Sequence, residues 1–103
     1  MNNSTMTITK TSEQDKLTVA LEGRLDTTTA PELETELKSS LDGVAVLILD
    51  LEKLEYMSSA GLRVLLSAQK QMNKQGEMKV TNVNEAIMEI FEVTGFSDIL
   101  TIE

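Results

Sequence analysis

The side chains best placed for chemistry in this 103-residue sequence are the adjacent hydroxyls of Ser58 and Ser59, which stand just before an apolar-periodic segment. At a helix start a serine oxygen can accept a hydrogen bond from an unpaired first-turn amide, so capping is the first chemistry the pair can do. The second is to carry a phosphate. Such a group brings about -1.5 to -2 charges, and the free amides of a helix N-terminus favour them, so modification would change the surface and spare the scaffold. The small residues Ala60 and Gly61 beside the pair would let a partner approach closely.

Other reactive groups are few. The sequence has no His and no Cys, which removes the usual general base, the thiol nucleophile, disulfides and zinc-thiolate sites. It contains no G-x-S-x-G elbow and neither of the common phosphate-cradling loops, G-x-x-x-x-G-K-[ST] and G-x-G-x-x-G. Asp26 and Asp50 could stand near strand ends and bind a cation, but among 17 acidic residues they read as solvated acids. The run Leu47-Ile48-Leu49-Asp50-Leu51 resembles the acceptor strand of a response-regulator receiver. Thr9-Lys10-Thr11 stands where a receiver needs its acidic pair, and two strands open the chain in succession, so that reading fails. The expectation is a protein that is not an enzyme and holds no metal or cofactor.

A net charge of -8 disfavours nucleic acid and anionic lipid as partners. No stretch approaches the roughly 18 apolar residues of a membrane helix, and no secretory leader opens the sequence, so a cytoplasmic location without membrane insertion is expected. The size suits one domain with one core. Aromatics make up 3% of the residues, so the core must consist of aliphatic side chains and some of the 6 Met.

The elements that must position the serines follow from periodicity. Met6 to Thr11 and Leu17 to Leu21 alternate as two strands of a hairpin ended by Gly23. Thr29-Ala30-Pro31-Glu32 has capping-box spacing, and Leu33, Leu37 and Leu41 give the helix after it one apolar stripe. Val44 to Leu49 reads as a central strand covered on both faces or nearly so, and Glu52 to Glu55 as a polar loop. A second helix should span Ser59 to Gln75 and stop at Gly76. Met78 to Val80 is a short strand. Asn84 caps a third helix carrying Ile87, Ile90 and Phe91, and Gly95 ends it. Residues Ile99 to Ile102 can add an edge strand. The predicted fold is α/β, a mixed four- to five-stranded sheet packed with three or more helices, with residues 1–4 as a flexible tail.

The segment Asp50-Leu51-(x)4-Tyr56-Met57-Ser58-Ser59-Ala60-Gly61-Leu62-Arg63-Val64-Leu65-Leu66 resembles the signature of the STAS domain of anti-sigma factor antagonists. Gly23-Arg24-Leu25-Asp26 followed by Thr29-Ala30-Pro31-Glu32-Leu33 resembles that family's turn into its first helix. Thr94-Gly95-Phe96 with Ile99-Leu100 and Ile102 resembles its carboxyl end. The likeness therefore spans nearly the whole chain, as a single STAS-like domain over 1–103.

The resemblance implies a partner-switching antagonist. In that family the serine aligned on Gly61, here Ser59, is phosphorylated by a serine kinase that is itself the anti-sigma factor. The unmodified antagonist binds the kinase, and a PP2C-type phosphatase resets the switch. The residues so implied for partner binding are Asp26, Tyr56, Met57, Ser58, Ser59, Gly61 and Arg63, in a protein acting as a monomer. The sequence departs from the family pattern with Ser58 where Asp is frequent and Ala60 where Ser or Thr is frequent. Asp26 would repel a phosphate on Ser59, Arg24 and Arg63 could offset it, and the sequence leaves that balance open. An alternative the fold allows is an accessory STAS subunit of a membrane transporter ATPase, without phosphorylation.

Overall fold

The computed structural model describes residues 6–103, so the predicted tail over residues 1–4 lies outside the described residues. The chain forms strands β1 (Met6–Glu13) and β2 (Lys16–Leu25), helix α1 (Ala30–Ser40), strand β3 (Val46–Met57), helix α2 (Ser59–Gln75), strand β4 (Glu77–Thr81) and helix α3 (Glu85–Thr94). The four strands make one sheet in the order β1-β2-β3-β4. β1 is antiparallel to β2, and β2, β3 and β4 run parallel. The mixed α/β architecture is as the sequence predicts.

Alternation decides which sheet face is covered. Leu17, Val19 and Leu21 of β2, Leu47, Leu49 and Leu51 of β3, and Met78 and Val80 of β4 are buried. They join Leu33 and Leu37 of α1, Leu62, Leu65 and Met72 of α2, and Ile87 and Phe91 of α3 in one cluster. Each such aliphatic side chain contributes about 1.5–3 kcal/mol when withdrawn from water. Cover on both faces or nearly so, expected for Val44 to Leu49, is met on one face and only in part on the other: Val46 and Ile48 are half-buried and outside that cluster, and Val44 and Ala45 precede the strand. The helices pack on one face only.

Three local expectations are corrected. Gly23 does not end β2, which continues to Leu25; Gly23 sits within it at φ 101°. Glu52 to Glu55 are not a loop but part of β3. The pairing of β2 with β3 skips a residue of β3 between Ala20 and Glu22, where Asp50 is followed by Lys53, and again between Gly23 and Arg24, where Leu54 is followed by Tyr56. Each skip is a bulge that turns two successive β3 residues outward, so buried positions fall at Leu51, Leu54 and Met57 and the period-two signal is lost. At the carboxyl end no fifth strand forms. A 3₁₀ turn at Phe96–Asp98 leads to a single bridge of Ile102 with Val80.

Candidate functional site

The site grows from the carboxyl ends of β2 and β3, which are parallel neighbours with Arg24 paired to Tyr56 and Leu25 to Met57. Beyond Met57 the chain turns directly into α2. The Ser58 amide donates to the Leu25 carbonyl at 2.8 Å, tying the serine turn to the end of β2. Ser58 is the N-cap in extended conformation: its Oγ accepts from the Gly61 amide at 3.4 Å, and its carbonyl accepts from the Leu62 amide at 3.0 Å. Ser59 is the first residue of the 17-residue helix, exposed, and its hydroxyl makes no hydrogen bond among the described residues.

Packing beneath the turn is tight. A Cβ on Gly61 would lie 2.6 Å from Leu25 Cγ and 3.1 Å from Met57 Cγ, so residue 61 must lack a side chain for α2 to seat on β2 and β3. Met57 is 2% exposed. Met57 and Gly61, both expected at a partner surface, are therefore internal supports of the turn, and their side positions are not available for contact.

The second wall is the turn after β2. Asp26 Oδ1 accepts from the amides of Thr28 at 3.0 Å and Thr29 at 3.2 Å and from Thr28 Oγ1 at 2.8 Å. The hydrogen bond from the Thr28 hydroxyl is the main reason its carboxyl is held below the ordinary aspartate value, outweighing partial burial, which acts the other way. Asp26 is thus an anion at neutral pH. The predicted capping box is absent, because Thr29 keeps helical dihedrals and makes no side-chain cap. Its buried Oγ1 accepts from the Asp26 amide at 2.8 Å and donates to the Arg24 carbonyl at 2.8 Å, fastening the turn to β2.

Arg24 lies over the Tyr56 ring, with Cζ 4.4 Å from the centroid, and its Nε is 3.8 Å from Asp26 Oδ2. This cation is held between an aromatic face and a carboxylate. Arg63 follows Ser59 by four residues on the same helical face and has no ion pair among the described residues. With Thr27, Ala30, Pro31, Glu34, Ala60 and Val64 it lines a groove of about 210 Å³ between α1 and α2.

The structure thus gathers Asp26, Tyr56, Ser58, Ser59 and Arg63 at one end of the sheet, with Met57 and Gly61 underneath. It does not bring Asp50 to them. Asp50, within β3, pairs with Ala20 of β2, and its carboxylate accepts from the Glu52 amide at 3.1 Å and Asn82 Nδ2 at 3.0 Å. Sequence reasoning missed Thr28 and Thr29 as braces of Asp26. Their signal was the run Asp26-Thr27-Thr28-Thr29, since an aspartate oxygen readily accepts from amides two and three residues on. Among the described residues no group of three or more metal-ligating side chains converges, and no helix is long and apolar enough to cross a membrane.

Known proteins resemble this chain in sequence and in fold. The sequence model of the STAS domain matches residues 7–103. Over 88 residues the chain is 39% identical to BtrV of Bordetella bronchiseptica, a protein provisionally named an anti-sigma factor antagonist, covering 84% of this chain and 76% of BtrV. Over 97 residues it is 32% identical to the anti-sigma-B factor antagonist of Listeria monocytogenes, covering 91% of this chain and 84% of that protein. The Bacillus cell fate determinant SpoIIAA, 16% identical, shares the fold over 94% of this chain. Its unphosphorylated form superposes with TM-score 0.82 over 88% of its own chain and its phosphorylated form with 0.74 over 91%.

Proposed function

The chain belongs to the STAS domain family, and from that premise we propose that it is an anti-sigma factor antagonist working by partner switching. In this reading the unmodified protein, a cytoplasmic monomer, binds an anti-sigma factor that is also a serine kinase. The kinase phosphorylates Ser59, the antagonist is released, and a PP2C-type phosphatase restores it. The chain is a regulatory ligand and performs no catalysis of its own.

The observation that carries this reading is the Ser59 hydroxyl itself: exposed, without a hydrogen bond among the described residues, and presented by a turn that the Ser58 amide ties to the end of β2. A kinase needs such a hydroxyl free, and a binding surface needs it held in one place. Added phosphate acts in two ways. Its bulk and hydration oppose burial in a docked interface, and the ionised Asp26 on the adjoining turn adds repulsion. Arg24 is already held by Tyr56 and Asp26, which leaves Arg63, four residues after Ser59 on α2 and without an ion pair among the described residues, as the compensating charge. The helix start tolerates the modification, so the fold persists while the contact surface changes. Asp26, Tyr56, Ser58, Ser59 and Arg63 form the contact surface, and Met57 and Gly61 hold it from beneath.

The test is recovery of partners from native lysate by Ser59→Ala and Ser59→Asp, with the phosphorylated residue mapped by mass spectrometry. A serine kinase should accompany Ser59→Ala and be lost from Ser59→Asp, and native phosphate should map to Ser59. Equal recovery by the two variants removes the switch; phosphate mapped to Ser58 moves it.

A further inference from the structure

We infer that Arg63 is the residue through which a phosphate on Ser59 is felt. On the unmodified chain its guanidinium anchors a carboxylate of the partner in the groove between α1 and α2, and the phosphate takes that guanidinium away. The inference rests on the partner-switching reading and names the contact that the switch breaks.

Arg63 is exposed and has no ion pair among the described residues, whereas the charges around it are engaged. Across the groove Glu34 is held on α1 itself, its Oε2 3.7 Å from Lys38 Nζ. On the turn after β2, Asp26 accepts from the Thr28 and Thr29 amides and lies 3.8 Å from Arg24 Nε. Arg24 in turn stacks on Tyr56. The Arg63 guanidinium is the charge left open to an incoming group.

The groove beside it says what that group is. Ala30 and Pro31 of α1 and Ala60 and Val64 of α2 give it apolar walls, and its volume of about 210 Å³ is below the range of small-molecule pockets, so it admits a side chain of a partner. A partner docked there withdraws Arg63 from water. A guanidinium buried without an acceptor is strongly unfavourable, so the partner must bring one. A glutamate fits both features: its methylenes would lie along Pro31 and Ala60, and its carboxylate would take the paired hydrogen bonds that arginine offers.

The same guanidinium is within reach of Ser59. Residues four apart on a helix stand about 5–6 Å apart at Cβ, and long helical side chains lean toward the amino terminus, which carries Arg63 back over the first turn of α2. Transfer of a phosphoryl group from a nucleoside triphosphate to Ser59 Oγ releases the hydroxyl proton and the diphosphate, and turns a neutral group into one of about -1.5 to -2 charges. Because this anion is tethered four residues from Arg63, it competes for the guanidinium as an intramolecular partner. The docked carboxylate loses its counter-charge and faces a phosphate instead. Release then follows from the exchange of one arginine contact, with the fold unchanged.

The experiment uses the full chain carrying phosphoserine at position 59, its phosphate titrated by phosphorus NMR. Arg63→Gln should raise the phosphate pKa by roughly 0.2–0.5 of a pH unit, and Arg63→Lys should hold it near the parent value. Lys74→Gln removes the same charge at the far end of α2 and should leave it unmoved. In parallel, the serine kinase recovered by Ser59→Ala is purified and its affinity measured. Adding Arg63→Gln to that variant should weaken binding at least about tenfold and Arg63→Glu further, while Lys74→Gln should not. A phosphate pKa indifferent to Arg63, kinase affinity unchanged by Arg63→Gln, or normal affinity with slowed phosphate transfer would each overturn the inference and leave the switch standing. Failure of Ser59→Ala to recover any serine kinase would overturn the switch and the inference together.

Discussion

Leu25 occupies the space that a side chain on Gly61 would need: its Cγ lies 2.6 Å from where that Cβ would be. The first turn of α2 therefore rests on the end of β2, and the position of Ser59 depends on contact between a strand and a helix distant in sequence. Gly61→Ala must push Leu25 aside or lift the helix. The expected cost is about 1–3 kcal/mol, the usual range for overpacking, read as a lower denaturant midpoint with unchanged m-value. The same lift should displace the Ser58 amide from the Leu25 carbonyl and speed its hydrogen exchange.

Ser58 caps α2 through a long 3.4 Å contact, so Ser58→Ala should cost only about 0.5 kcal/mol, the low end for lost caps. Ser58→Asp places a full negative charge at the same helix start and should stabilise by about 0.3–1 kcal/mol. Opposite shifts in melting temperature, each a few degrees for a domain of this size, would check both. A drop in both variants would show that position 58 is limited by packing and not by capping.

Thr28→Val removes the hydroxyl that most lowers the Asp26 carboxyl pKa. That carboxyl should titrate closer to the ordinary aspartate value, followed by the carboxyl carbon resonance. The sign for stability follows from linkage. A carboxyl whose folded pKa is depressed stabilises the fold above its unfolded value and loses that contribution as pH falls through the folded pKa, so the variant should lose less stability between neutral and acid pH than the parent.

Gly76 closes α2 in extended conformation, φ 174°, so its requirement for glycine is one of space and not of handedness. A Cβ there would stand 1.9 Å from the Ala45 carbonyl oxygen, which is backbone and cannot swing away. Gly76→Ala should cost more than Gly61→Ala, about 2–4 kcal/mol, because relief means moving the segment that leads into β3 against its neighbour β4. Paired denaturant melts of the two variants give the order directly.

Legibility in the sequence followed the strength of the local signal. α2 was predicted over Ser59 to Gln75 and is found there, because its apolar residues recur at helical spacing between a serine cap and a glycine stop. Asn84 caps α3 as expected, its Oδ1 accepting from the Ile87 amide at 2.9 Å, and Gly95 ends that helix at φ 81°. β3 was cut short because its bulged half alternates with a period of three, which matches neither the strand nor the helix template. The Thr29 capping box was read from spacing alone, while local bonds back to Arg24 and Asp26 in the turn before the helix claim that hydroxyl. Of the candidate site, exposed members were legible from the motif. Whether a residue such as Met57 touched a partner or the core was not, since burial depends on Leu25 and β2, more than thirty positions away.

The two bulges of β3 have a consequence for how chains of this kind can vary in length. Between Leu21 and Leu25 the second strand uses four steps; its partner uses six between Leu51 and Met57, and both extra residues belong to outward pairs, Glu52-Lys53 and Glu55-Tyr56. Deleting Glu52 would turn its pair into a plain rung and leave Leu54 and Met57 facing inward, opposite the same neighbours. This strand therefore carries slack, and a one-residue indel here can be absorbed on the solvent side without inverting the core or moving the serine turn.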